Sequence, residues 1–316
     1  MIGCSMKRPR LLQLAAALLI AGTAAAGNAQ PVTDAETCLE SAAAPTLVLA
    51  LCERALADAA LPAASRATLL TRRGELWLRI GDAGMADADF TAAISRNPAS
   101  ANARRARALL RQGRGELAAA ADDLTAAVAL NPRQGDLLVL RAALHHQAGR
   151  NEEAGADLAA ALAQDPEDAF AHLLRGVLNY RQGTFAAAAA DFAASLKTSP
   201  VPYPLASFWL ALARAQAGGN AAAALAPYAW WWEDGGWPKV LADAIAGSSG
   251  IAELETTIAA IEPAPGRAQA SFFAAEWARL NGHPGAARRL LTIAAGGHGA
   301  ALETIEARAR LTAAGG

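Results

Sequence analysis

Residues 67–98 read ATLLTRRGELWLRIGDAGMADADFTAAISRNP, and the order of Leu70, Gly74, Trp77, Gly81, Ala86, Phe90, Ala93 and Pro98 within them decides the fold. Apolar and small residues recur at helical offsets on either side of Gly81, so the stretch predicts two short helices joined by a tight turn. A helix pair this small cannot bury its apolar face alone. Sliding the chain against itself by 34 residues places Gly81 on Gly115, Gly149 and Gly183, Ala86 on Ala120, Ala154 and Ala188, and Pro98 on Pro132, Pro166 and Pro200. Four such units, each packing on the next, make one quasi-linear body from a length that would otherwise suggest two globular domains.

Within each unit the glycine ends the first helix, because glycine accepts a left-handed cap at little cost. Asp82 and Thr184 stand where the second helix needs an N-cap, as Ser65, Ser100 and Asp168 do for first helices. Asn97, Asn131, Asp165 and Ser199 precede the four prolines and mark the turns between units. The pattern of large residue, Gly, aromatic, then Ala, large residue and Pro resembles the tetratricopeptide repeat. It is met by Leu70, Gly74, Trp77, Ala86, Phe90 and Pro98, and in the fourth unit through Gly176, Gly183, Phe185, Ala188, Phe192 and Pro200. The middle units depart from it: Ala108 and Ala142 replace the first Gly, and Arg111 and His145 replace the aromatic. The resemblance implies an all-α, right-handed superhelical solenoid of helix-turn-helix units whose work is binding other proteins. Leu76, Leu110, Leu144 and Leu178 are expected to fill the seam between helices.

Hydrophobic residues make up 53% of the 316, largely as alanine, which favours thin, closely packed helices. Toward the amino end, Lys7, Arg8 and Arg10 precede the apolar run 11–21, and small residues lead to Ala29. That layout predicts a signal peptide over residues 1–29, cleaved after Ala29 or after Ala26, and hence a periplasmic protein. The run is short for a membrane span, so no stable span is expected in the mature chain. Cys4 lies upstream of the charged segment, where a lipidated cysteine cannot be. Removing the leader leaves 25 basic against 29 acidic residues, a net charge of −4 that does not favour nucleic acid.

Residues 30–64 read as a capping helical hairpin, 34–43 and 46–60, broken at Pro45. Cys38 and Cys52, fourteen apart on its facing helices, either form a disulfide in an oxidising compartment or stay as two buried thiols. Residues 65–200 hold the four repeats. Two charged series keep the same period: Arg73, Arg107, Arg141 and Arg175 stand where the general pattern has Leu, in step with Asp89, Asp123, Asp157 and Asp191. They read either as a structural ladder of ion pairs, within or between units, or as a solvated face.

The run Pro200, Pro202, Pro204 breaks the period and opens a carboxyl-terminal helical region, residues 201–316, with degenerate repeat-like pairs. Helices are expected over 205–217, 220–229, 238–246, 251–261, 267–280, 284–295 and 302–311. Four of the seven tryptophans, Trp230, Trp231, Trp232 and Trp237, surround Gly235 and Gly236. The order of the Phe208-Trp209-Leu210 helix, the Trp237 segment leading into Gly247 and the Phe272-Phe273 helix followed by Ala286-Ala287 is similar to bacterial outer-membrane tetratricopeptide lipoproteins that serve as adaptors for a periplasmic protease. That resemblance implies an adaptor bringing a cell-wall hydrolase to its protease, here without the anchoring cysteine.

First helices of stacked units line the concave groove. By helical phase its candidate partner-binding residues are Arg105, Gln112, His146, Phe170, Val177, Tyr180 and Arg181. They suit a peptide or partner protein carrying acidic and apolar groups, unless the protein's own tail fills the groove. Arg104, Arg105, Arg107, Arg111 and Arg114 are either a carboxylate grip or a solvated helix face. The tryptophan segment is either an exposed aromatic platform for a partner or rings that fill a gap where the solenoid turns. His145, His146 and His172 are too dispersed to share a metal ion, and the sequence has no phosphate loop, nucleophile elbow or Cys-x-x-Cys pair. No catalytic residue, cofactor or metal is expected. The reading is a non-catalytic periplasmic scaffold or adaptor, with an assembly component of an envelope complex as the alternative and an enzyme as a remote one.

Overall fold

A computed structural model describes residues 33–198, 205–231, 236–262, 264–297 and 301–315, and the segment expected to be a signal peptide, Trp232 and the Pro200 to Pro204 run lie outside them. The described residues form α-helices, one 3-10 turn and no strand. The capping hairpin is α1 (Asp34–Glu40) and α2 (Pro45–Leu56). α1 opens on a capping box in which the Thr33 hydroxyl accepts from the Glu36 N–H and the Glu36 carboxylate accepts from the Thr33 N–H. Pro45 sits in the first turn of α2, where its missing N–H has no intrahelical acceptor to lose. A disulfide joins Cys38 to Cys52 with the α-carbons 5.0 Å apart, and both residues are fully buried. The Arg72 guanidinium reaches back from the next helix to the carbonyls of Cys38 and Ser41, tying the cap to the array.

The repeats follow as α3 (Ala63–Arg79) with α4 (Ala83–Arg96), α5 (Ala101–Gly113) with α6 (Leu117–Leu130), α7 (Gly135–Gln147) with α8 (Asn151–Gln164), and α9 (Ala169–Arg181) with α10 (Phe185–Thr198). Gly81, Gly115, Gly149 and Gly183 turn each pair at φ between +76° and +90°. The next N–H then reaches back across the turn, as from Asp82 to the Trp77 carbonyl at 2.9 Å and from Arg150 to the His145 carbonyl at 2.8 Å, closing a Schellman motif. Asp82, Ser100 and Asp168 cap their helices by accepting main-chain N–H groups. One cap falls elsewhere: α3 starts at Ala63 after Pro62, so Ser65 lies inside its first turn. Thr184 stands just before α10, its carbonyl accepting from the Ala188 N–H and its hydroxyl donating to the Asn179 carbonyl.

The variation between units follows from packing. An added Cβ on Gly74 would stand 2.5 Å from the Phe90 ring, and one on Gly176 would stand 2.6 Å from the Phe192 ring. Each glycine lets a phenylalanine ring pack directly against the helix backbone. In the middle units Ala108 packs in one cluster with Leu124, and Ala142 in one with Leu158. The smaller Leu leaves room for a methyl, so the first-helix glycine and the second-helix ring are replaced together.

The carboxyl-terminal region is α11 (Leu205–Gln216), α12 (Ala221–Leu225), a 3-10 turn over Ala226–Trp231, α13 (Trp237–Ile245), α14 (Ile251–Ala259), α15 (Ala264–Leu280), α16 (Pro284–Ala295) and α17 (Leu302–Gly315). Pro227 lacks the N–H that an α-helix needs, which shortens the helix expected over 220–229 to α12 and leaves the rest as the 3-10 turn. Gly218, Gly247 and Gly282 repeat the left-handed turn of the regular units, with N–H bonds from Gly219, Ser248 and His283 reaching back over it. Trp209 is the centre of the core here. It is fully buried, 5.0 Å from Phe272 and 5.4 Å from Tyr180 between ring centroids, and stacked on Phe192 at 5.7 Å.

Candidate binding surface

The ion pairs between the two charged series run within units. Arg73 donates to both oxygens of Asp89, Arg107 to both of Asp123, Arg141 to both of Asp157 and Arg175 to both of Asp191, with shortest distances of 2.6–2.7 Å. The carboxylates are buried, and these paired hydrogen bonds raise the already high pKa of each arginine. The sixteen-residue offset joins the first helix of a unit to its second. Arg107 also donates to the Thr91 hydroxyl of the preceding unit at 3.1 Å, while Arg111 and Arg104 converge on the same Asp123 at 2.8 and 3.9 Å. Arg114 holds Asp87 at 3.3 Å and the Ala83 carbonyl at 2.7 Å. Four members of the basic run are thus engaged within the fold, and neither an open carboxylate grip nor a solvated face describes them.

The expected groove residues separate along the array. Arg105 faces Asp136 at 3.9 Å with its side chain 38% exposed, and the Gln112 amide donates to the Gln147 carbonyl oxygen at 3.2 Å. Phe170 is exposed. Toward the carboxyl end the protein's own helices occupy the concave face. Val177 is core, packed in the cluster that contains Trp209 and Phe273, so it is not available to a partner. Tyr180 is also core: its hydroxyl donates to buried Glu276 of α15 at 3.1 Å, and the Arg310 guanidinium of α17 lies 5.6 Å over its ring. Burial, then the Glu276 charge, push the Tyr180 pKa far above that of an ordinary phenol. His146 is buried with Nε2 3.2 Å from Glu306 of α17, and Arg181 lies 3.7 Å from the same carboxylate.

The sequence reading missed Glu276 and Glu306 as organisers of this closure. Each is fully or almost fully buried, and each meets cations, Glu276 through Arg279 at 3.1 Å and Arg310 at 2.9 Å. The available signal was a lone carboxylate inside the apolar run SFFAAEWARL, residues 271–280.

The three histidines stay apart. His172 Nδ1 lies 3.1 Å from Asp191, and His145 lies 3.8 Å from Asp157, with its pKa held below normal by burial and then by the nearby Arg150 charge. Among the described residues no cluster of His, Cys, Asp and Glu could hold a metal ion, and no helix is long and apolar enough to cross a membrane. Of the tryptophan segment, Trp230 is 63% exposed and stands edge-on to Trp231, which stacks on Tyr228. Trp237 turns inward onto Phe208, and Trp232 lies outside the described residues.

No protein-family model matches the chain, and no curated protein matches it. Solved structures do. A tetratricopeptide repeat protein from Parabacteroides merdae aligns at TM-score 0.55 with 18% identity, covering 78% of this chain and 99% of that one. PilF of Pseudomonas aeruginosa aligns at 0.50, with 18% identity and coverage of 78% and 99%. PilW, a type IV pilus biogenesis factor, gives 0.49 with 20% identity and coverage of 78% and 98%. The stacked two-helix units define an α-solenoid. Its fold is that of the tetratricopeptide-repeat proteins, and at these identities the likeness extends to the fold alone.

Proposed function

We propose that this chain is a non-catalytic interaction scaffold or adaptor of the bacterial periplasm that holds a peptide or partner protein on its concave face. The observation that carries the reading is the contrast along that face. Arg105, Gln112 and the exposed Leu109 remain half-open over the second unit, whereas the fourth is closed by the protein's own helices. A surface of mixed cationic, amide and apolar groups, held on rigid helices, suits a peptide of acidic and apolar character. The Cys38–Cys52 disulfide favours an oxidising compartment. The finer role proposed is presentation of substrates to a periplasmic protease or cell-wall hydrolase.

The test is photo-crosslinking in the periplasm from a probe at Gln112, with a second probe at exposed Asp122 on the outer helix of the same unit. Partners trapped from Gln112 and not from Asp122 support the reading, and identical sets from both sites refute it. A tail-specific protease among them supports the adaptor role. A stoichiometric envelope complex captured through Trp230 supports the alternative, an assembly component, which the exposed Trp230 edge favours.

A further inference from the structure

Where α17 crosses the concave face it leaves a trench of about 690 Å³, within the size range of ligand-binding clefts. One wall is the array: Leu117, His146, Gln147 and Arg181. The other is the outer face of α17, where Ile305, Ala309 and Ala313 form a stripe at helical spacing beside Arg308. Both full charges in the lining are arginines, and Arg181, which faces buried Glu306 at 3.7 Å, keeps its side chain about a third exposed. Arg308 is held by the carbonyls of Ala295 and Gly297, at 3.0 and 2.8 Å, which fixes its guanidinium at the rim. His146 is 1% exposed, and its Nδ1 has no hydrogen-bond partner within the protein. A buried imidazole nitrogen without a partner is costly to leave so, and His146 is one of the residues that line this trench. The trench adjoins the open groove, since Gln147 of its wall accepts a hydrogen bond from Gln112.

Resting on the concave-face reading above, we propose that this trench is a docking site for an acidic segment of a partner polypeptide. Its carboxylates lie between Arg181 and Arg308, and its apolar side chains lie along the Ile305, Ala309 and Ala313 stripe. Charge complementarity selects carboxylates, and the apolar stripe with the adjoining groove selects a chain over a small anion. The α17 helix is thus half of the site, and it leaves a binding surface where it closes the rest of the groove.

The experiment is fluorescence anisotropy on the mature chain with a short blocked peptide repeating Glu-Leu-Ala, against the same peptide with Gln or Lys in place of Glu. The Glu peptide is expected to bind, and the Gln and Lys peptides to bind at least about tenfold more weakly. Ala313→Trp, at an exposed position that tolerates a larger side chain, fills the trench and abolishes binding with the melting temperature unchanged. Arg181→Gln weakens binding by about tenfold, while Leu47→Trp on the distant cap leaves it unchanged. No binding, equal binding of the Gln peptide, or full binding to Ala313→Trp overturns the proposal. Partners that crosslink at Gln112 and are kept by Ala313→Trp refute the trench alone, whereas loss of the Gln112 contrast refutes the concave-face reading.

Discussion

In the first three repeats the core is divided into small local clusters, each made of alanines and a few leucines or one phenylalanine shared by neighbouring helices. From α9 onward one large cluster runs through Trp209, Phe272 and Phe273 to Ala307 of α17, beside a small group of Ala278, Ala286 and Ala287. The regular half is held by nearest neighbours, as a one-dimensional array is, and the carboxyl half by a shared aromatic centre. The two halves should therefore respond differently to the same kind of damage.

The largest effect is expected at that centre. Trp209→Ala should cost about 3–5 kcal/mol and loosen the carboxyl half as a whole, read as loss of near-ultraviolet circular dichroism and of amide protection from α9 to α17. Leu124→Ala, in the second repeat, should cost about 2–4 kcal/mol with protection lost mainly in its own and adjoining units. Equal spread of the two losses would break the comparison. Next come the ion pairs, which distinguish repeats from one another. Asp89 takes both its arginine bonds from Arg73, whereas Asp123 keeps Arg111 when Arg107 is removed. Arg73→Ala should cost about 2–3 kcal/mol, Arg107→Ala about 1 kcal/mol less, and exposed Arg150→Ala close to nothing, all measurable by urea titration.

A smaller effect sharpens the relation between units. Gly74→Ala should cost about 1–2 kcal/mol by crowding Phe90, and Phe90→Leu in the same chain should recover most of it, as the Ala108 and Ala142 units do naturally. The smallest expected effect is one of pH. Burial depresses the His145 pKa below its ordinary 6.5, so the unfolded chain takes up the proton first as pH falls through that value, and stability declines. His145→Gln should flatten the melting temperature measured between neutral and mildly acid pH.

The regular half was legible because its constraints are local. A left-handed turn admits glycine cheaply, so Gly81 and its copies declare themselves, and the ion pairs share their period. That the pairs join helices within a unit needed the fold, since both placements use the same residues. The helices of the carboxyl half were also readable one by one, apart from the stretch that Pro227 shortens. How they return onto the concave face was not, because nothing periodic connects Tyr180 to Glu276 or His146 to Glu306. The candidate groove suffered accordingly: phase placed Val177 and Tyr180 on the concave side, but phase says nothing of what else lies there. The Trp237 ring likewise went inward through contact with Phe208, a pairing that no spacing encodes.

The contacts of α17 with His146 and Arg181 also bear on how this architecture can change in length. A repeat inserted between the third and fourth units would carry Arg181 away from His146 and pull Glu306 off one of them. A repeat added ahead of α7 would disturb neither contact. The array is thus counted at its carboxyl end and open to extension at its amino end, so variation in reach among related chains should accumulate on the amino side of the third unit.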